Sequence, residues 1–444
     1  MKNFKKNSIY IACSLLTLTG MMSSCKKDFE DPSRASTEVA LGSSQALSAV
    51  AMGVNRTYTL SRTGVLFNSV TASGFASNEL RLLNAGNIPE LQLSTGGSAV
   101  DGTNTILFNM WASSLKVIDE SNKVIAGAEA LGDKNYAAGL IGYVTVFKAL
   151  SLGTLSSFWE KVPVTIGKAA PFVDRMDGYK AAIAAIDNAL TKITANPIST
   201  QFNSTVNNIN IVNALHALKA RYALFSGQYA IALSEANAVV TPTVIPPNKN
   251  TITSADISPF KFDAANVNII ASVASSNNVF QPTDANLGLT GTLVPDANDK
   301  RIPFYTIMAG SPASLRMAGF ATSVTGSFPI FLPGEIPLIK AEAYARQTTP
   351  DLNSALTELN KVITKTTDVF GVGASLTALT GPYTQPQLLE LIYKHRCIEL
   401  FASGLKLEDM RRFGRPVAEM KRRFMPYPFQ ERDNNPNTPA NPTF

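Results

Sequence analysis

Apolar residues recur at helical spacing through most of the first half of the chain, from about residue 38 to residue 240. Tyr179, Ile183, Ile186 and Leu190 advance by four, three and four positions, which is the stripe of an amphipathic helix. Gly153 is predicted to interrupt the helical pattern that precedes this stripe. The pattern therefore predicts an N-terminal region, 38–240, built from successive helices.

One stretch of this region has a more specific spacing. Gly227, Tyr229, Ala232 and Ala236 follow one another as in a tetratricopeptide unit, where small residues let two antiparallel helices approach closely. A second copy is predicted on either side of the Thr349-Pro350 turn. Small residues at this spacing also occur in ordinary helical hairpins, which is the alternative. Because such pairs bury no core alone, several must stack, and the predicted fold is a mostly α superhelix of tetratricopeptide-like hairpins.

The second half of the chain is divided by a change of pattern. Residues 241–330 are rich in Pro, Asn, Ser and Thr and predict a loop-rich insertion, which is the candidate ligand face. Helical spacing returns in a C-terminal region, 331–444. Its last segment, Met425–Phe444, contains five prolines, and it is predicted to be an extended, non-helical tail laid over the domain.

The amino terminus has the features of a bacterial lipoprotein leader. A basic start is followed by an apolar stretch, Ser8–Met22, that is too short for a permanent membrane span, and then by Ser-Ser-Cys. Cleavage after residue 24 would leave Cys25 as the first residue, to be acylated as a membrane anchor. The charged residues that follow predict a flexible tether over 25–37. A leader with an incidental cysteine is the alternative.

Composition narrows the possible functions. The chain has 444 residues, 45% of them hydrophobic and 16% charged, which is typical of a large folded protein. Its formal charge is +6, but three of the 39 basic residues lie in the leader, so 36 basic residues face 33 acidic ones. This balance argues against a nucleic-acid partner. Of three cysteines, Cys13 leaves with the leader and Cys25 is acylated, so Cys397 has no disulfide partner.

The chain lacks the usual motifs of catalytic and metal sites. Its two histidines, His216 and His395, have no zinc-binding spacing, no Cys-x-x-Cys or phosphate loop is present, and neither a cofactor nor a metal is predicted. His216 is predicted to be a core or edge residue and His395 to lie on a salt-linked helix face. A glycosidase needs only two carboxylates, and the candidates in this chain are Glu79, Asp101, Glu408 and Asp409. The arginines after Glu408-Asp409 favour ion pairs instead.

Two C-terminal stretches resemble a known family. Residues 392–414 contain Arg-x-x-Glu-Leu at Arg396–Leu400, then a glycine, then Asp-Met-Arg-Arg at Asp409–Arg412. This order is similar to the C-terminal helix and turn of the SusD/RagB family. The helix predicted around 335–345, with Ala-Glu-Ala, and the Pro-x-Pro and Asn-Pro elements of the tail are similar to that family as well.

The resemblance implies a surface lipoprotein of the outer membrane that binds a nutrient and acts as the lid of a SusC-like TonB-dependent transporter, without catalysis. Glycan-binding members often stack sugars on tryptophan, but Trp111 and Trp159 are predicted to be core residues here. An oligosaccharide is the leading ligand. The alternatives are a peptide, as in the RagB branch, and an all-helical glycoside hydrolase.

The ligand contacts are predicted in two places: a polar loop between two helical blocks, and aromatic residues of the insertion. Amide and guanidinium groups bind sugar hydroxyls, and aromatic faces bind the apolar side of a ring. An ordinary buried aromatic is the alternative for each ring. The candidates are Asn78, Glu79, Arg81, Asn84, Phe304, Tyr305 and Phe320.

Overall fold

The computed structural model describes residues 42–206, 209–240, 253, 257, 259–276 and 278–444. The predicted leader over 1–24, the predicted acylation site Cys25 and the predicted tether over 25–37 lie outside the described residues. Most of the first part of the predicted insertion, before residue 259, does so too.

The described chain is mostly helical, which confirms the predicted fold class. Its helices are α1 Ser44–Thr59, α2 Val65–Ala76, α3 Ile88–Thr95, α4 Thr105–Ala130, α5 Lys134–Phe158, α6 Arg175–Ala195, α7 Thr200–Val206, α8 Ile211–Phe225, α9 Tyr229–Ala238, α10 Ile269–Ala271, α11 Arg301–Tyr305, α12 Glu335–Arg346, α13 Leu352–Ile363, α14 Gln385–Glu399, α15 Lys406–Arg412 and α16 Phe429–Asn434. Its strands are β1 Leu80–Leu82, β2 Lys161–Pro163, β3 Phe172–Asp174, β4 Pro259–Phe260, β5 Phe280–Pro282, β6 Thr306–Ala309, β7 Ser314–Met317 and β8 Phe328–Pro329.

Helix α5 forms the centre of the core. It is long and apolar enough to span a membrane by composition, but 89% of its apolar window is buried inside the fold, between α4, α6 and α8. The predicted interruption at Gly153 is wrong, because α5 continues to Phe158. Gly153 serves close packing instead, since a methyl group at this position would overlap the ring of Tyr222 on α8.

Two helical hairpins occur where the tetratricopeptide-like spacing predicted them. The first is α8–α9, and its chain reverses at Gly227, whose φ of 75° suits glycine. The second is α12–α13, where the side chain of Asp351 caps α13 by accepting a hydrogen bond from Ser354 N at 2.9 Å. Helix α9 packs against α12, so the hairpins are neighbours. Their assignment as tetratricopeptide units stays a prediction.

The strands form four antiparallel pairs: β1–β5, β2–β3, β4–β8 and β6–β7. The β1–β5 pair aligns Leu80 with Pro282, so it joins the chain after α2 to the insertion. The predicted polar loop between two helical blocks is therefore a strand at Leu80–Leu82. Three residues are too few to show the alternation of apolar and polar positions that predicts a strand, and the partner strand lies 200 residues away in the sequence.

The C-terminal tail packs on the helical core, but it is not wholly extended. Helix α16 occupies Phe429–Asn434, so the prediction of a non-helical tail is wrong there. Pro428 precedes the helix as its N-cap and Pro436 follows it, so neither proline removes a hydrogen bond that the helix needs. Upstream of α16, Met425 N donates to Phe158 O at 2.9 Å and ties the tail to the end of α5.

Candidate functional site

Two of the four carboxylates considered for catalysis are held in buried ion pairs. Glu408 accepts hydrogen bonds from Arg175 at 2.8 Å and from Arg411 at 2.6 Å. Asp409 accepts from Arg396 Nε at 2.9 Å. All of these side chains are buried. Arg175, at the start of α6, and Arg396, on α14, join their helices to α15. The predicted ion-pair role of Glu408 and Asp409 is confirmed.

The histidines also have structural partners. The half-buried His216 places Nδ1 2.6 Å from Glu235 Oε2, as predicted for an edge residue. His395 lies on a salt-linked helix face, as predicted, because its neighbours Arg396 and Glu399 are ion-paired, but this face is buried. Its Nδ1 lies 2.8 Å from Arg301 Nη2, and burial together with this cation holds the pKa of His395 well below its usual value. Within the described ranges, no group of three or more potential metal ligands occurs.

Both tryptophans are core residues, as predicted, with 2% exposure for Trp111 and 0% for Trp159. Each indole N–H is bound by the tail: Trp111 donates to Glu431 Oε2 at 2.9 Å, and Trp159 donates to Pro426 O at 3.0 Å. Neither ring is available as a stacking platform for a ligand.

A polar pocket of about 250 Å³ lies beside Asn78, where the turn before β1 meets the loop after β5, helices α14 and α15, and the turn at 417–419. We call it the Asn78 pocket. It is lined by Ser77, Asn78, Thr283, Asp284, Gly288, Leu289, Thr290, Leu293, Tyr393, Lys406, Met410 and Glu419.

The backbone at Asn78 is held in place from two sides. Its φ of 59° lies in the left-handed region, which asparagine tolerates better than most residues. Its side-chain Nδ2 donates to Glu419 O at 2.9 Å, and its carbonyl oxygen accepts from Thr283 Oγ1 at 2.7 Å. Gly288 lies against the same carbonyl, where any side chain would clash. Three distant segments are thereby joined into one rim.

Two ionisable groups lie behind this rim. Glu79 is 1% exposed; its Oε1 accepts a hydrogen bond from Ala402 N at 3.4 Å, and its Oε2 has no hydrogen-bond partner. Burial raises the pKa of Glu79 to about 7, although the charge of Lys406 opposes the shift. Lys406 is 4% exposed and lines the pocket. Among the described residues, its ammonium has no hydrogen-bond or ion-pair partner.

The other polar candidates lie outside the pocket lining. Arg81 is half-buried, and its Nε donates to Pro282 O at 3.1 Å across the β1–β5 pair. Asn84 is exposed beyond β1, and its Oδ1 accepts from Gly86 N at 3.0 Å within its own turn. Of the predicted loop residues, the structure therefore brings Asn78 to the pocket surface and places Glu79 beneath it.

The aromatic candidates form a separate cluster. The ring of Phe304 lies 4.9 Å from that of Tyr305 and 5.5 Å from that of Phe320, both edge-on. Tyr305 is buried, and its hydroxyl donates to Glu399 O at 2.6 Å, so its position matches the alternative of an ordinary core aromatic. Phe304 and Phe320 are half-buried, and they pack on each other rather than presenting free faces in parallel.

Comparison with known proteins identifies the fold. No family model and no curated protein matches the chain. Among solved structures, a SusD superfamily protein from Bacteroides thetaiotaomicron aligns with a TM-score of 0.69 at 18% identity, over 90% of this chain and 100% of that one. A SusD homolog from the same organism gives 0.70 at 13% identity, over 93% and 99%. The chain has the SusD fold.

A third structure with the SusD fold is described as a SusD-like carbohydrate binding protein from Bacteroides vulgatus. It aligns with a TM-score of 0.64 at 16% identity, over 84% of this chain and 83% of that one. The fold expected from residues 392–414 is therefore confirmed, and it extends across the N-terminal helices and the described part of the insertion.

Sequence reasoning missed most of the pocket that this SusD fold assembles. Thr283, Asp284 and Leu289 come from the insertion, Tyr393 and Lys406 come from two helices of the C-terminal region, and no local motif links them. One signal was present: Lys406 lies between two leucines, and a lysine within an apolar run can indicate a buried cation.

Proposed function

We propose that this protein is a member of the SusD/RagB family that binds carbohydrate at the outer-membrane surface without cleaving it. The SusD fold carries the proposal, because a structure described as a SusD-like carbohydrate binding protein aligns over 84% of the chain. The family-like motif in residues 392–414 and the lipoprotein leader in the sequence support it.

The chemistry of the Asn78 pocket supports a sugar ligand. Leu289 and Leu293 contribute apolar side chains to the lining, while Asn78 and Lys406 contribute polar ones. Sugar rings combine apolar faces with hydroxyl groups, so they suit a wall of this mixed character. At about 250 Å³ the pocket is smaller than a typical drug-sized site, and we propose that it receives one sugar unit of a longer chain.

We further propose that the protein works as the lid of a SusC-like TonB-dependent transporter. Acylated Cys25 and the tether would hold the protein at the membrane, and the tetratricopeptide-like hairpins, including α8–α9, would face the transporter. A glycan held between lid and transporter favours the closed state only by the difference between its affinities for the closed and open states.

Isothermal titration of the purified protein against a panel of polysaccharides, oligosaccharides and peptides tests the proposal. We expect at least one glycan to bind with no release of new reducing ends. Thr290→Trp should weaken this binding by about tenfold or more, because Thr290 is exposed at the pocket and a large ring there would fill it.

The matched control is Thr292→Trp, two residues further along the same exposed loop and outside the pocket lining. It should leave the affinity unchanged. Binding of peptides alone would support the RagB-like alternative, and glycan cleavage would establish a hydrolase. Equal affinity in both tryptophan variants would place the glycan away from the Asn78 pocket.

A further inference from the structure

Lys406 places a positive charge without a hydrogen-bond or ion-pair partner at the Asn78 pocket. The residue is 4% exposed, and no hydrogen bond or ion pair engages its ammonium among the described residues. An ammonium that lines a pocket without a protein acceptor can donate hydrogen bonds to a molecule bound there. The pocket that Lys406 lines is where a bound molecule could supply that acceptor.

The acidic groups inside the protein do not neutralise this charge. Asp409, on the same helix, is already bound by two arginines, with 2.9 Å to Arg396 and 2.9 Å to Arg412. Glu79 forms no ion pair with Lys406, and burial raises the pKa of Glu79 to about 7, so its carboxyl is only partly ionised at neutral pH. The charge of Lys406 is therefore only partly offset from behind.

The acidic groups that line the pocket have hydrogen-bond partners other than Lys406. Glu419 is bound by Arg415, with both oxygen–nitrogen distances at 2.9 Å. Asp284 is exposed at the surface, where its Oδ1 accepts from the backbone N–H groups of Asn286 and Gly288. The buried side of the pocket is thus positive, and the carboxylate of Asp284 lies on its exposed side.

We propose that the Asn78 pocket prefers a carboxylated sugar, such as a uronic acid unit, whose carboxylate accepts a hydrogen bond from Lys406. This inference rests on the proposed function and adds the class of sugar. A carboxylate both accepts the hydrogen bond and compensates the charge, and such charge-assisted bonds are roughly twice as strong as neutral ones. A sugar hydroxyl accepts the hydrogen bond but does not compensate the charge.

Titration with a matched pair of ligands tests the preference: a galacturonic acid trimer and its methyl ester, which differ in charge. We expect the acid to bind at least about tenfold more tightly than the ester, with a difference that shrinks as salt is added. Lys406→Gln should abolish this difference by weakening the binding of the acid far more than the binding of the ester. Lys421→Gln, at an exposed lysine outside the pocket lining, is the control and should preserve the difference in affinity between acid and ester.

A second variant keeps the test informative if Lys406→Gln fails to fold. Asp284→Asn removes a negative charge from the exposed side, yet its amide oxygen can still accept from Asn286 and Gly288. It should raise the affinity for the acid several-fold more than the affinity for the ester, because only the acid carries a charge that Asp284 repels. Equal binding of acid and ester, unchanged by either variant, would overturn the inference while the proposed function stands. Failure of every glycan to bind would reject both.

Discussion

The carboxyl group of Glu79 is buried, so its pKa differs between the folded and unfolded states. The free energy of unfolding therefore depends on pH. This pKa is about 7 in the folded protein and close to 4.5 when exposed, so the folded state holds the proton over a pH range in which the unfolded state has released it. Stability from this group is therefore fully present below pH 4.5 and is lost as the pH rises through 7. The buried Glu399 has the opposite dependence, because the nearby cations Lys365 and Arg301 hold its pKa below the usual value.

Replacing Glu79 by glutamine should remove the loss of stability that accompanies a rise in pH. We expect the free energy of unfolding of Glu79→Gln, relative to the wild type, to rise by about 3 kcal/mol between pH 4.5 and pH 8, because the amide cannot ionise. Urea unfolding of both proteins across this pH range measures the difference. Glu160→Gln, at an exposed carboxylate, is the control. A pH-independent difference between Glu79→Gln and the wild type would show that Glu79 ionises normally.

At the scale of elements, the tail completes the aromatic part of the core. The ring of Tyr427 packs edge-on at 5.8 Å from Trp111 and at 5.5 Å from Phe172 on β3. Its hydroxyl donates to Lys161 O at 3.0 Å and accepts from Lys161 N at 3.2 Å, so the tail also extends the hydrogen bonding of β2. This proline-rich segment is ordered because the ring of Tyr427 is buried against residues that lie much earlier in the sequence.

Tyr427→Ala should detach this part of the tail. We expect a loss of about 4 kcal/mol in the free energy of unfolding, the usual cost of removing a buried aromatic ring. The chain has two tryptophans, and both are bonded to the tail, so their fluorescence should shift to longer wavelength as they meet water. Phe429→Ala, in the same segment but 46% exposed, is the control and should cost less than about 1 kcal/mol. Similar effects of the two variants would contradict this packing.

At the scale of the whole molecule, the proposed activity depends on where the chain is held. The predicted leader and Cys25 would attach a folded binding protein to the membrane by acyl chains, each buried CH₂ contributing about 0.8 kcal/mol. Helix α5 offers no alternative anchor, because its apolar surface is used within the core.

Cys25→Ala should therefore release the protein from the membrane. We expect the wild type to incorporate labelled palmitate and to sediment with outer membranes, whereas the variant should do neither. Cys13→Ala is the control, because Cys13 is predicted to leave with the leader and its loss should not alter labelling. Cys397 is buried, so it cannot substitute as the acylated residue. Continued labelling of Cys25→Ala would refute the predicted anchor.

The helices of this protein were largely predictable because their information is local. The stripe at Tyr179, Ile183 and Ile186 and the turn at Gly227 lie within single elements, and hydrophobic burial at helical spacing was enough to place them. Prediction failed where distant contacts decide the structure. Gly153 stays helical because Tyr222 fills the space beside it, and Leu80–Leu82 is a strand because residues 280–282 lie alongside.

By itself, the sequence determined the mostly helical class, the motif in residues 392–414 and the choice of Asn78 as a candidate. Only the tertiary structure decided that Asn78 shares a pocket with Asp284 and Lys406, and that Glu79 lies beneath it without a full ion pair. The physical reason is that the cost of burying a charge depends on which distant groups surround it, whereas an amphipathic helix depends on neighbours a few residues away.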